Sequence, residues 1–247
     1  VRLAGKVVVV TGAGRGLGRA FAAGIAAEGA RVCIAELRPD TGQRAADEIG
    51  ESALFVQTDV SSLESVESMA AAVAELWGGI DGLVNNAAIA EGVGGKRFNE
   101  LDPDTFLRVL DVNARGTWQA CRAVYPYMKA RGRGKIVNIA SDTPLWGAPL
   151  LLHYVASKGA VIAMTRSLAR EMGPDRICVN AIAPGLTRTE ATESVSRERH
   201  ETYERGRAIP GPQYPADLVG AVTFLLSDEA DLITGQVLPV NGGFVFN

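Results

Sequence analysis

Seven short apolar, β-branched runs punctuate the chain: KVVVV (6–10), RVCIA (31–35), ALFVQ (53–57), DGLVN (81–85), GKIVNIA (134–140), RICVNAIA (176–183) and GQVLPV (235–240). The apolar residues in them are mostly continuous rather than alternating, the pattern of strands covered on both faces. Between them lie longer segments of helical period, so the order predicts repeated βαβ units. The expectation is an α/β fold: a doubly wound parallel sheet of about seven strands with helices on both faces. No repeat or linker interrupts this order, and residues 1–247 are expected to form one domain. The polar, charged stretch 187–214, which ends around Pro210 and Pro212, breaks the rhythm. It is too long for an ordinary loop and predicts a lid over a site.

Composition narrows the partners. With 47% hydrophobic residues, 21% charged residues and a net charge of −3 in no long single-sign block, the chain offers no nucleic-acid footprint and no membrane-binding basic helix. A small-molecule partner fits better. Cys33, Cys121 and Cys178 lie far apart without a CxxC pair, and no signal-peptide pattern or apolar run of bilayer length is present. A soluble, cytoplasmic protein is expected. No His, Cys or carboxylate cluster has metal-ligand spacing, so no metal is expected.

The segment TGAGRGLGRAF joins the first predicted strand to an alanine-rich helix, the place where a Rossmann-type sheet binds a dinucleotide. Gly12 permits the tight turn, Gly16 lets backbone N–H groups approach a pyrophosphate, and Gly18 allows the helix to pack closely on the sheet. Leu17 stands where GxGxxG would have its last glycine. The spacing Gly12-x-x-x-Gly16-x-Gly18 after Thr11 instead resembles the short-chain dehydrogenase/reductase family, single-domain branch. Further pieces of that family follow in order: Asp59-Val60, NNAA (85–88), Asn113, Ser141, Tyr154-x-x-x-Lys158 and PGLTRT (184–189). They span nearly the whole chain. One departure is Ala88, where the family usually has glycine.

The resemblance implies an NAD(P)-dependent oxidoreductase that interconverts a secondary alcohol and a ketone. It implies cofactor contacts at Gly12, Arg15, Gly16, Leu17, Gly18, Asp59, Val60, Asn85, Tyr154, Lys158, Pro184, Gly185, Thr187 and Thr189. It also implies a homotetramer, paired through long helices at about 104–130 and 152–171 and through the last strand, and the apolar end with Phe244, Val245 and Phe246 is expected to join that interface. Asn113, Ser141, Tyr154 and Lys158 are the expected catalytic set, with Asn113 holding a water that links Lys158 to solvent. By the same resemblance Ala90, Glu91 and the lid line the substrate pocket.

Elementary chemistry supports the pairing of Tyr154 with Lys158. A free tyrosine has a pKa near 10, and a cation about 4 Å away is worth roughly 4 kcal/mol at an effective dielectric of 20, enough to lower it by about three units. Positions i and i+4 of a helix bring the two together. Ser141, at the end of KIVNIAS, is expected to hold the substrate oxygen, and Trp146, Leu150, Leu151 and Leu152 to give apolar contact to a mainly apolar substrate. Arg188 would spoil that reading by clamping a carboxylate. His153 is expected at the rim, turned away from the site, because adjacent helix positions do not face each other.

Cofactor choice rests on opposed residues. Glu36, at the end of RVCIAE, favours NAD by accepting ribose hydrogen bonds and repelling a 2′-phosphate, whereas Arg15 and Arg38 leave NADP possible. The alternative activity is reduction of a 3-oxoacyl group on a carrier protein with NADPH, received by a basic patch at Arg122, Lys129, Arg131 and Arg133. A cofactor-binding protein without turnover is the alternative from another class, and intact Tyr154 and Lys158 argue against it.

Overall fold

Seven parallel strands lie in one sheet in the order β3-β2-β1-β4-β5-β6-β7, in a computed structural model that describes residues 1–246. In chain order the elements are β1 (Val7–Thr11), α1 (Gly16–Ala27), β2 (Arg31–Glu36), α2 (Pro39–Ile49), β3 (Ala53–Gln57), α3 (Leu63–Trp77) and β4 (Gly82–Asn85). There follow α4 (Pro103–Leu110), α5 (Gly116–Arg131), β5 (Gly134–Ile139), α6 (Thr143–Trp146), α7 (Leu152–Met172), β6 (Ile177–Pro184), α8 (Arg197–Gly206), α9 (Ala216–Leu226) and β7 (Val237–Val240). Each strand falls on its apolar run. β7 begins two residues late because Gly235, at φ 72°, still belongs to the turn.

Alternate residues along a strand feed two cores. Val8, Val10, Val32 and Ile34 pack with Phe21, Ala45 and Leu218, so α1, α2 and α9 cover one face. Val7, Val9, Cys33 and Ala35 pack with Val66, Ala120 and Met172, so α3, α5 and α7 cover the other. The chain runs outward through β1, β2 and β3 and then returns to place β4 beside β1. That reversal opens a crevice at the carboxyl ends of the strands, where α/β sheets bind ligands.

Two departures from the sequence pattern shape the crevice. The helix expected over 104–130 is broken by one π turn, Asp111–Arg115, which contains Asn113. The excursion 187–214 carries a short 3₁₀ turn (Glu190–Thr192) and α8, and a bridge between Thr187 and Gln213 closes its base. Arg207, almost fully buried, fastens it by donating to the carbonyls of Leu186 (2.8 Å) and Asn241 (3.1 Å). Phe244, expected at an intermolecular interface, is used within the chain: it stacks on Tyr203 of α8 at 4.2 Å and 17°. Phe246 is exposed. No helix among the described residues is long and apolar enough to cross a membrane.

Candidate active site

The crevice is a cleft of about 1020 Å³ running from the glycine loop to the lid. Gly12 and Gly16 take positive φ values of 63° and 54°. A Cβ on Gly12 would stand 2.8 Å from the Cα of Ala87, and one on Gly18 would run into the Gly12 carbonyl and the Asn86 side chain. These contacts explain why the loop requires glycine there. The first turn of α1 carries no acidic residue and no side-chain cap, so its N–H groups face the cleft unneutralised, a fit for the phosphates of a dinucleotide. Asn86 ties the end of β4 to this loop by donating to the carbonyls of Thr11 (3.0 Å) and Gly12 (2.9 Å).

Arg15, Gly16, Leu17, Glu36, Asp59, Val60, Pro184, Gly185, Thr187 and Thr189 all line the cleft with Gly12. Gly18 does not, because it is buried where α1 meets the loop. Asn85 is also turned inward: its amide donates to Asn138 (2.9 Å) and to the Cys121 sulfur (3.2 Å), and Asn86 is the neighbour on the cleft wall. Glu36 is buried, its Oε2 accepting from Gly14 N–H (3.0 Å) and its Oε1 from Arg38 N–H (3.2 Å). Arg15 is paired at 2.8 Å with Glu91 across the cleft mouth.

Ser141, Tyr154 and Lys158 meet at the inner end. Ser141 lies just past β5, with its hydroxyl accepting from Thr143 N–H (3.2 Å) and Oγ1 (3.0 Å). Lys158 reaches from α7 to the edge of the sheet, where Nζ donates to the Ile139 carbonyl at 2.7 Å. It lies 5.8 Å from the centre of the Tyr154 ring. The Tyr154 phenol is raised, not lowered as its spacing from Lys158 predicts. Dense protein around Tyr154 raises its pKa to about 12, and the charge of Asp142 adds to this while the Ser141 hydroxyl opposes it. Burial also lowers Lys158, to about 8.

Asn113 is fully buried in the π turn, and its amide is bound on both edges: Oδ1 accepts from Ile89 N–H (2.7 Å), while Nδ2 donates to Ile89 C=O (3.1 Å) and Ser157 Oγ (3.0 Å). Its side chain thereby anchors the loop after β4, and the turn itself follows the tendency of π turns to mark functional sites. The water-holding role stays a reading of the resemblance.

Several side chains lie elsewhere than expected. Trp146 is not on the cleft wall; its ring packs edge-on against Tyr203 (6.1 Å) and Phe244 (5.7 Å). Leu152 is exposed outside the cleft, whereas Leu150 and Leu151 line it as expected. Leu150 is held at φ 65°, a left-handed conformation rare for leucine, with its carbonyl accepting from Gly95 N–H (2.9 Å). Arg188 pairs with Glu204 and faces an outer hollow of the lid rather than the cleft. His153 is buried, not at the rim, and Nδ1 has no hydrogen-bond partner. Ala90 and Glu91 line the cleft as expected, as does Ala88. Sequence reasoning missed Asn86, Asp142 and Tyr203, which are also in the wall; only Asn86, doubled in NNAA, had a signal.

Comparison with known proteins agrees with this arrangement. A family model described as enoyl-(acyl carrier protein) reductase matches residues 12–245. The chain is 38% identical to galactitol 2-dehydrogenase of Agrobacterium fabrum over 255 aligned residues, covering 98% of each chain. It is 36% identical to 3-alpha-(or 20-beta)-hydroxysteroid dehydrogenase of Mycobacterium bovis, over 99% of this chain and 91% of that one. The crystal structure of 3-ketoacyl-(acyl-carrier-protein) reductase from Brucella melitensis complexed with NADH superposes with a TM-score of 0.92 at 34% identity, over 99% of this chain and 100% of that one.

Proposed function

The chain belongs to the short-chain dehydrogenase/reductase family, and we propose that within it this protein is an NAD-dependent enzyme that interconverts a mainly apolar secondary alcohol and its ketone. The family makes it an oxidoreductase acting on CH–OH groups with a nicotinamide cofactor. The observation that carries the rest is the convergence of Ser141, Tyr154 and Lys158 at one end of a cleft whose other end is the glycine loop.

In this reading the glycine loop, the N-terminus of α1 and Thr189 would hold the pyrophosphate, Glu36 would take the adenosine ribose, and Pro184, Gly185 and Thr187 would border the nicotinamide. Bound there, the nicotinamide supplies the hydride acceptor or donor. Ser141 holds the substrate oxygen. Tyr154 gives its proton to that oxygen in reduction and takes it back in oxidation; a phenol held protonated suits the donor role at neutral pH. Lys158, fixed on Ile139, supplies positive charge behind the ring and would bind the cofactor ribose.

Ile89, Val93, Val112, Leu150, Leu151 and Val195 support an apolar substrate, with Arg108 and Arg199 also on the wall. A carrier-bound 3-oxoacyl substrate calls for an open basic surface; Arg122, Lys129 and Arg131 are engaged by Glu67 (3.6 Å), Asp175 (3.4 Å) and Asp81 (3.1 Å), which favours the small-substrate reading, while Arg133 keeps the carrier alternative open. Exposed Phe98, Leu107 and Trp118 around α4 and α5 support assembly as a homotetramer, and three buried free thiols suit a cytoplasmic location. Tyr154→Phe tests the mechanism. Turnover should fall by at least about 100-fold, with NAD affinity by fluorescence titration unchanged; near-normal turnover would refute the role of Tyr154.

A further inference from the structure

Behind Ser141 lies a carboxylate that none of these steps uses. Asp142 has no exposed surface, yet it borders the same cleft. Three distant segments enclose it. The phenol of Tyr203 on α8 donates to Oδ1 at 3.2 Å, and Asn241 after β7 donates to Oδ2 at 3.4 Å. Gly185 after β6 leaves room, since a Cβ there would stand 3.2 Å from Oδ2.

A buried carboxylate costs several kcal/mol unless a cation pairs with it. No Lys or Arg among the described residues comes within ion-pair distance of Asp142. Arg207 acts on it only through space, its N–H groups being taken by backbone carbonyls. A neutral side chain could satisfy Tyr203 and Asn241 at less cost, so the contacts of Asp142 do not account for its charge.

We propose that Asp142 is a positioning residue for proton transfer: a buried negative charge beside Ser141, held by the lid through Tyr203, that sets the pH at which Tyr154 changes from proton donor to proton acceptor. The inference rests on Tyr154 being the acid and base. Around the carboxylate the ionisable groups are Tyr154 from α7, Tyr203 from α8 and Arg207 from the segment after it. Arg199 acts on Tyr203, Glu204 and Asp217 act on Arg207, and Lys158 lies beside the Tyr154 ring. Burial raises Asp142 to about 6, with its hydrogen bonds acting the other way, so it is charged throughout the range where a tyrosine titrates. A negative charge disfavours phenolate. Removing it lowers the pKa of Tyr154, and the acid limb of alcohol oxidation and the alkaline limb of ketone reduction both move to lower pH.

The test is the pH profile of kcat/KM in both directions. Asp142→Asn should move both limbs down by about one pH unit. Asp142→Glu, which keeps the charge, should leave them in place even if crowding reduces kcat. If the Asn variant does not fold, Asp142→Ser removes the same charge with a smaller side chain. Ultraviolet titration of tyrosinate, with Tyr154→Phe as the blank, reads the same downward shift without turnover. Limbs that stay put while kcat falls equally at every pH would overturn the proposal and leave Asp142 a packing residue. The underlying assignment fails separately, by native turnover in Tyr154→Phe.

Discussion

Glu36→Gln tests the charge proposed to separate the two nicotinamide cofactors. The native carboxylate is 8% exposed, with its oxygens held by the N–H groups of Gly14 and Arg38. Glutamine keeps an oxygen for Gly14 and leaves only the Arg38 N–H without its acceptor, whereas alanine would strand both N–H groups and mix loop damage with selectivity. Two unit charges about 5 Å apart repel by roughly 3 kcal/mol at an effective dielectric of 20. Water at the cleft edge leaves about half of that, so relief of repulsion should raise kcat/KM for NADP by about tenfold. A ribose hydroxyl bound to a neutral oxygen instead of a carboxylate loses about 1 kcal/mol, which should cost NAD about fivefold. The ratio of the two kcat/KM values therefore narrows by about 50-fold. Initial rates followed by reduced-nicotinamide absorbance, with each cofactor, a single saturating alcohol and native enzyme alongside, give that ratio. Arg15, paired with Glu91 at 2.8 Å, should give NADP little help in the native enzyme. A native preference for NADP, or an unchanged ratio in Glu36→Gln, would refute the assignment of Glu36 to the ribose.

Two further substitutions test the scaffold of the site. Gly18→Ala places a methyl against the Gly12 carbonyl and Asn86; NAD affinity should fall by at least about tenfold and stability by about 1–3 kcal/mol, read by fluorescence titration and thermal unfolding. Native affinity there would contradict the close approach of α1 to the loop. Asn113→Ala strands the N–H and C=O of Ile89, so unfolding in urea should show a loss of about 2–5 kcal/mol along with reduced turnover. Full stability in that variant would show that Asn113 does not anchor the loop after β4.

The sheet and half of the site are readable along the chain because their causes are local. A strand buried on both faces must be apolar at consecutive positions, and residues 7–10 are. The glycine loop requires positive φ and missing Cβ atoms at positions a few residues apart, so Gly12, Gly16 and Gly18 announce it. Tyr154 and Lys158 share a face because of helix geometry alone. What those residues do to one another's charge was not readable. Spacing makes Lys158 a depressor of the Tyr154 pKa, but burial and Asp142 win in the folded chain, and neither is a property of the local segment.

Side-chain direction in the loops was equally hidden. Trp146 and Leu152 look like pocket residues by position, but Tyr203 and Phe244 capture the indole, and the left-handed turn at Leu150 precedes a register that leaves Leu152 in solvent. Asn85 and Asn86 are indistinguishable as letters; strand pairing turns the first toward Asn138 and leaves the second to the cleft. The sequence by itself determined the order of the βαβ units and the glycine loop, because each follows from sterics or periodicity within a few residues; the proposed proton-transfer pair Tyr154 and Lys158 is read from the family resemblance together with helix spacing. Only the tertiary structure decided the electrostatics and the walls of the site. Asp142 meets Tyr203 across 61 residues of chain and Asn241 across 99, and hydration, hydrogen bonding and charge at such a meeting point depend on all the segments that enclose it.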